Sequence, residues 1–195
     1  MKRYIKSAIV DILDESDDVR YEEAMMGTDI RLLKHLATSQ DEWTRAAVAK
    51  NPNTPVELLR ELARDLNSMP RYEVAENPNT PADVLSALAY DTDPTVKRAV
   101  ARNDNTPPDV LEVLFDDFDV YDKGDIARNP NCTHDLLMLI TQTSSEYVQD
   151  DLLEMPNVPI DVLQYLAEHG ADGIHNIKGR ARELLQQLYN LYYYK

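Results

Sequence analysis

A five-residue phrase returns along this chain at a fixed interval of 26 residues. It reads Asn51-Pro52-Asn53-Thr54-Pro55, Asn77 to Pro81, Asn103-Asp104-Asn105-Thr106-Pro107, Asn129-Pro130-Asn131-Cys132-Thr133 and Met155-Pro156-Asn157-Val158-Pro159. A period between roughly 20 and 50 residues marks stacked supersecondary units, each too small to bury its apolar face alone. The phrase therefore constrains the fold before any single residue is weighed. An earlier, degenerate copy stands at Met25-Met26-Gly27-Thr28-Asp29, as expected of a terminal repeat, and brings the count to six.

The local chemistry of a unit follows from residue types. In Thr54-Pro55-Val56-Glu57 the threonine is placed to cap a helix, proline to occupy its first turn and glutamate to return a bond to the cap. The helix that follows carries an apolar face of Leu58, Leu59, Leu62 and Ala63, repeated as Val84, Leu85, Leu88, Ala89 and as Val110, Leu111, Leu114, Phe115. A second, shorter helix precedes each phrase, α or partly 3₁₀, with Val48, Val74, Val100, Ile126 and Leu152 at its buried position. Proline disfavours helical geometry in the residue before it, so Asn51, Asn77 and Asn129 end these shorter helices. The second asparagine of the phrase, Asn53, Asn79, Asn105, Asn131 and Asn157, is assigned a structural role, bonding the corner of a neighbouring layer.

The whole chain reads as a single all-α solenoid domain over 1–195. Residues 1–16 form an amphipathic capping helix, with a partner-binding helix as the alternative; an acidic turn of Asp14, Glu15, Asp17 and Asp18 follows it. The repeats run over 17–172, and 173–195 forms a C-terminal capping helix. In that cap Gly170, Gly173 and Gly179 loosen the approach, and Arg180 to Lys195 turns Leu184, Leu185, Leu188 and Leu191 inward. Tyr189 and Tyr192-Tyr193-Tyr194 either lie over the last repeat or form an interaction patch or dimer contact.

Net charge is −15, and it is unevenly spread. Residues 1–68 carry 13 acids against 10 bases, residues 69–172 carry 21 against 6, and residues 173–195 carry 1 against 4. General affinity for nucleic acid or anionic membrane is not expected of such a chain. A single cysteine permits neither an intramolecular disulfide nor a thiolate metal site, and there is no apolar signal region or membrane-length run. A cytoplasmic location is expected. Arg45, Arg71, Lys97 and Lys123 share one repeat position and Asp65, Asp91 and Asp117 another, which predicts a ladder of ion pairs between elements.

The composite unit, roughly V-K/R-x-A-V-A-R-N-P-N-T-P-x-D/E-L-L-x-x-L-A-x-D, resembles the leucine-rich repeat variant family of bacterial proteins. The resemblance is closest over Val96 to Asp117 and Thr44 to Asp65 and covers about residues 17 to 172. It implies a right-handed superhelix of alternating α and 3₁₀ helices without any sheet, and it implies little about activity. One member of that family carries an N-terminal cysteine cluster for an iron–sulfur centre; Cys132 stands alone here, so no cofactor is carried over.

His35, His134, His169 and His175 show no metal-ligand spacing, and no glycine-rich phosphate loop is present. Cys132 fills the threonine slot, where a helix terminus could lower its pKa, but no histidine and acid accompany it. No enzyme is expected. The leading reading is a protein-binding scaffold, with Trp43, Tyr72, Tyr90, Tyr121 and Tyr147 as candidate contacts because aromatics dominate binding hot spots. Trp43, Tyr121 and Tyr147 share one repeat position, and a common core role is preferred for them over a groove role. The alternative is an acidic inhibitor or nucleic-acid mimic seated in a basic cleft, drawing on Asp116, Asp117, Asp119, Asp150 and Asp151. The expected partner is another protein, a basic one where the acidic surface is the binding face.

Overall fold

The computed structural model describes residues 17–119 and 122–193; the expected N-terminal capping helix over 1–16 and Tyr121 lie outside them. Among the described residues there are thirteen α-helices and no strand. They fall into two compact units, one up to Val110 and one from Leu111 on.

The first unit contains α1 (Asp17–Met26), α2 (Ile30–Leu36), α3 (Glu42–Lys50), α4 (Val56–Leu62), α5 (Ser68–Glu76), α6 (Ala82–Leu88) and α7 (Pro94–Arg102). Asp17 and Asp18, read as part of a turn, instead open α1. Helices α1, α3, α5 and α7 stand side by side in a row, and α2, α4 and α6 pack against that row. The core is the one the periodicity marks: Leu58, Leu59 and Leu62 of α4 and Val84, Leu85 and Leu88 of α6 are buried, as are Val48, Val74 and Val100. Burying one such side chain contributes about 2 kcal/mol.

Relative lengths are the reverse of expectation in this unit. The helices before the phrase, α3, α5 and α7, have nine residues each, and those after it, α4 and α6, have seven. Asp41 and Asp93 start α3 and α7 early, accepting bonds from the amides of Thr44 and Thr95. At the other end α4 and α6 tighten into i→i+3 bonds, Asp65 N to Leu62 O and Asp91 N to Leu88 O. Those bonds close turns beyond the helices; every helix among the described residues is α-helical, and the 3₁₀ helices implied by the family resemblance are not seen there.

The phrase is indeed the corner, but its parts work differently from the sequence reading. The N-cap residues of α4 and α6 are Pro55 and Pro81, and no side chain caps either helix. Thr54, Thr80 and Thr106 are buried and turn back, donating their hydroxyls to the carbonyls of Val48, Val74 and Val100 at 2.5 Å. A hydroxyl enclosed between helices must find an acceptor there, and the last turn of the preceding helix offers one.

The first asparagine is more than a helix stop. Asn51 donates from Nδ2 to the carbonyls of Ala24 and Gly27, both at 2.8 Å. Asn77 donates to Ala49 and Asn51 at 2.7 and 3.1 Å, and Asn103 to Ala75 and Asn77 at 2.7 and 3.0 Å. In each case Oδ1 accepts the amide two residues on, from Asn53, Asn79 or Asn105. This buried side chain stitches each corner to the one 26 residues before it. The second asparagine adds an outer tie: Asn79 donates to Pro52 O at 2.7 Å, and Asn105 to Pro78 O at 2.6 Å and Thr80 O at 3.2 Å.

Helix α8 (Pro108–Asp117) carries the chain from Val110 into the second unit, which holds α9 (Lys123–Arg128), α10 (His134–Thr143), α11 (Glu146–Leu153), α12 (Ile160–His169) and α13 (Ile177–Tyr193). Here α9, α11 and α13 form the row and α12 packs closely on α13. The phrase is eroded. Thr133 rather than Cys132 caps α10, accepting from Leu136 N at 3.3 Å, and Met155 replaces the bridging asparagine. Asn157 is exposed, while Asn131 is half-buried and gives its amide to Asn129 Oδ1 at 2.9 Å.

The glycines of this unit do not loosen it. The final helix starts at Ile177 and runs through Gly179. Gly170 ends α12 against Ile177, where an added Cβ would stand 2.7 Å from an Ile177 methyl, so the bare backbone lets α13 begin in contact with α12. Of the four leucines expected inward, Leu184 and Leu185 are half-buried, and Leu188 and Leu191 are 37% and 59% exposed.

Candidate functional site

The row α3–α5–α7 presents one helix position after another at the 26-residue interval. Met69 and Thr95 occupy the position of Trp43, Tyr72 and Arg98 that of Ala46, and Glu76 and Arg102 that of Lys50. Between α5 and α7 these residues enclose a groove of about 370 Å³ lined by Ser68, Met69, Tyr72, Thr95, Arg98 and Arg102. A second groove, about 320 Å³, lies on the other side of Tyr72, bounded by Lys50, Glu73, Glu76, Asn77 and Pro78. Tyr72 is thus the wall between two depressions. Trp43 stands one repeat away with 54% of its surface exposed.

The electrostatics here are balanced rather than acidic. Arg102 donates to Glu76 at 2.8 Å, and Lys50 faces Glu73 at 3.8 Å. Burial pushes the Glu73 carboxyl above its ordinary value against the pull of Lys50, and burial with the Glu76 charge raises the Tyr72 phenol. A tyrosine and a methionine between guanidinium groups can stack on and hydrogen-bond to a peptide.

On the edge of the same unit the expected ion pairs are present at the first two positions. Arg45 grips Asp65 with two bonds, at 2.6 and 2.9 Å, and Arg71 grips Asp91 at 2.6 and 2.8 Å. Each arginine also donates to the loop before its helix, Arg45 to Ser39 O at 2.8 Å and Arg71 to Asp65 O at 2.8 Å. Burial works to raise the Asp65 and Asp91 pKa values, and the arginine bonds with the amides of Asn67 and Asp93 outweigh it, holding both carboxyls below the usual range. The fourth position breaks the series: Lys123 lies buried with its ammonium 3.6 Å above the Phe115 ring.

The other sequence candidates separate. Tyr90 and Tyr147 are exposed, at 72% and 61%, so the core role preferred for the Trp43 and Tyr147 position does not hold. The helix faces carrying them turn outward because Thr44 and Val48 on α3, and Val148 and Leu152 on α11, already take the inward positions. Tyr147 meets the His175 ring edge-on at 5.1 Å. Asp116, Asp117 and Asp119 are exposed on α8 and just beyond it. Asp150 and Asp151 do not offer a bare acidic surface. Asp150 binds His175 Nδ1 at 2.7 Å and Arg180, Arg180 also holds Glu154, and Asp151 binds Arg128 at 2.8 Å. Sequence spacing could not show this, since the partners lie more than 20 residues away.

Cys132 sits half-buried with its sulfur 3.6 Å from the Thr133 carbonyl, and burial pushes its thiol up to about 11. The lowering expected at a helix terminus does not occur, because the cap belongs to Thr133 and the thiol is desolvated beside a carbonyl. His134 pairs with Asp161 at 2.7 Å, and His169 stacks on Tyr165 with ring centroids 4.5 Å apart. Among the described residues no three His, Cys, Asp or Glu side chains gather where they could hold a metal ion, and no helix is long and apolar enough to cross a membrane.

Fold and surface together define a helical-repeat protein. Residues 42–66, comprising α3, its corner and α4, match the family model described as leucine rich repeat variant. No curated protein and no solved structure matches the chain.

Proposed function

We propose that this protein is a non-catalytic scaffold of the cytoplasm that binds another protein through the face of the row α3–α5–α7. The observation that carries the reading is the Tyr72 ridge: an aromatic wall between two grooves, flanked by Met69, Arg98 and Arg102, with exposed Trp43 one repeat along. Trp, Tyr, Met and Arg are the residues enriched where interfaces bind tightly. Solenoids generally bind with such a non-repeating surface, held on a repeating frame. The reading takes the 26-residue period as that of a right-handed solenoid of about six repeats.

The acidic-mimic alternative draws less support from the second unit, where Asp150, Asp151 and Glu154 are engaged by Arg128, His175 and Arg180. A mimic needs carboxylates free to meet a basic cleft. The test is affinity capture from a lysate of the source cell, comparing the wild type with a Trp43→Ala/Tyr72→Ala variant and with an Asp116→Asn/Asp119→Asn variant. A partner lost only with the aromatic pair supports the scaffold. A nucleic-acid-binding partner lost only with the acidic pair, and competed away by DNA, replaces it with the mimic.

A further inference from the structure

We infer that the C-terminal helix α13 is a self-association element, pairing antiparallel with α13 of a second copy of this chain about a twofold axis near Leu188. Its length is the first indication. Helix α13 has 17 residues against 10 in α12, on which it packs. At 1.5 Å per residue the excess is about 10 Å. Gly170 lies against Ile177 at one end of this pair, while Ile160 and Tyr189 share a groove at the other, so the excess is the C-terminal part of α13.

That part is apolar and uncovered within its unit. Leu188, Tyr189 and Leu191 are 37%, 53% and 59% exposed, and Ile160, at the foot of α12, is 56% exposed. A groove of about 760 Å³ opens beside them, lined by Ile160, Gln164, Arg182, Leu185, Gln186, Leu188 and Tyr189. Residues 184–194 contain no charged side chain, in a chain of which 28% is charged. Depletion of charge with enrichment in Leu and Tyr is the composition of an interface centre, not of a solvated helix end.

The choice of a second copy follows from the pattern about Leu188. Leucines stand three residues to either side, at Leu185 and Leu191, so reversing the helix maps the apolar stripe onto itself. An isologous contact requires that self-complementarity. The charges agree. Lys178 is held by Asp172, and Arg180 by Asp150 and Glu154, whereas Arg182 makes no ion pair among the described residues. Six residues before the axis, Arg182 falls at the C-terminal end of the partner helix, whose last turn has no basic residue of its own. A cation beside those terminal carbonyls is favourable. The contact is small, so the dimer is reversible in the micromolar range, as interfaces below the standard size are.

Sedimentation equilibrium on the full chain tests this. The wild type should move from monomer to dimer across micromolar concentrations. Leu188→Glu, which sets two carboxylates against each other on the axis, should abolish the dimer with the helical circular dichroism intact, and Ile174→Glu, at a 96% exposed isoleucine outside the stripe, should leave it unchanged. Under oxidation Leu188→Cys in a Cys132→Ser background should give a disulfide-linked dimer. A wild type that stays monomeric throughout, or a dimer that survives Leu188→Glu, overturns the inference. Either result leaves the α3–α5–α7 face untouched.

Discussion

The two units hold their turns in different ways. The first is tied from within: Asn51, Asn77 and Asn103 are buried, and each bonds two carbonyls about one repeat earlier. The second keeps one such asparagine, Asn129, buried with its Oδ1 accepting the Asn131 amide, but has Met155 at the next such place, a cysteine in the threonine slot and a lysine over Phe115 where an Arg–Asp pair would stand. Beyond Asn129 it is tied by side-chain pairs nearer the surface, Asp150 with His175 and Arg180, Arg180 with Glu154 and Arg128 with Asp151. Enclosed bonds to backbone demand one residue type at one place, so that unit repeats strictly. Exposed ion pairs tolerate rearrangement, and the sequence there has drifted.

Mutations can break this contrast. The largest effect is expected from Asn77→Ala, which removes two buried hydrogen bonds to carbonyls and the acceptor of the Asn79 amide and should cost about 3 kcal/mol in urea unfolding. Asn105→Ala, at the outer tie, should cost about 1 kcal/mol, and Asp104→Ala less than that. Equal losses for all three would remove the distinction between inner and outer stitch.

Next come the arginines. Arg71 and Asp91 have side chains only 14% and 6% exposed, so Arg71→Ala should cost about 2 kcal/mol. Arg180→Ala in the second unit should cost about 0.5 kcal/mol and be relieved by salt, since Glu154 is 71% exposed. A larger loss at Arg180 than at Arg71 would invert the comparison.

The same pairs set an acid limit. The folded pKa values of Asp65 and Asp91 lie below their unfolded ones, so their contribution is complete above about pH 4 and is lost as pH falls through the folded values. Asp65→Asn/Asp91→Asn should lower stability at neutral pH and flatten its decline in acid, measured by thermal melts. Glu73 runs the other way. Burial raises its pKa, so ionisation opposes folding, and Glu73→Gln should raise the neutral-pH melting temperature slightly. An unchanged or lower one would count against that desolvation.

Much of this was legible in the chain. The period marked every corner, and the leucine and valine positions it aligned are the buried ones. Arg45 with Asp65 and Arg71 with Asp91 could be paired from register alone. The assignment of roles inside the phrase was less legible. Thr54 satisfies the rule for an N-cap, yet it bonds backwards to Val48, because a hydroxyl buried between two helices takes whichever acceptor packing brings near. Trp43 and Tyr147 looked like core residues by their shared position and are exposed, since Thr44 and Val148 beside them already face inward. The Tyr72 ridge had no sequence signal beyond an aromatic at a variable position. Its grooves exist only because α3, α5 and α7 lie side by side.

By itself, then, the amino-acid sequence determined the periodic frame: where the corners between helices fall, and which leucines and valines leave water, for these depend on neighbours within one 26-residue unit. Tertiary structure alone decided which asparagine bridges layers, which acids are neutralised and where an apolar helix end is left uncovered. Those outcomes depend on partners that stand more than 20 residues apart in the chain and are brought within 3 Å only by stacking.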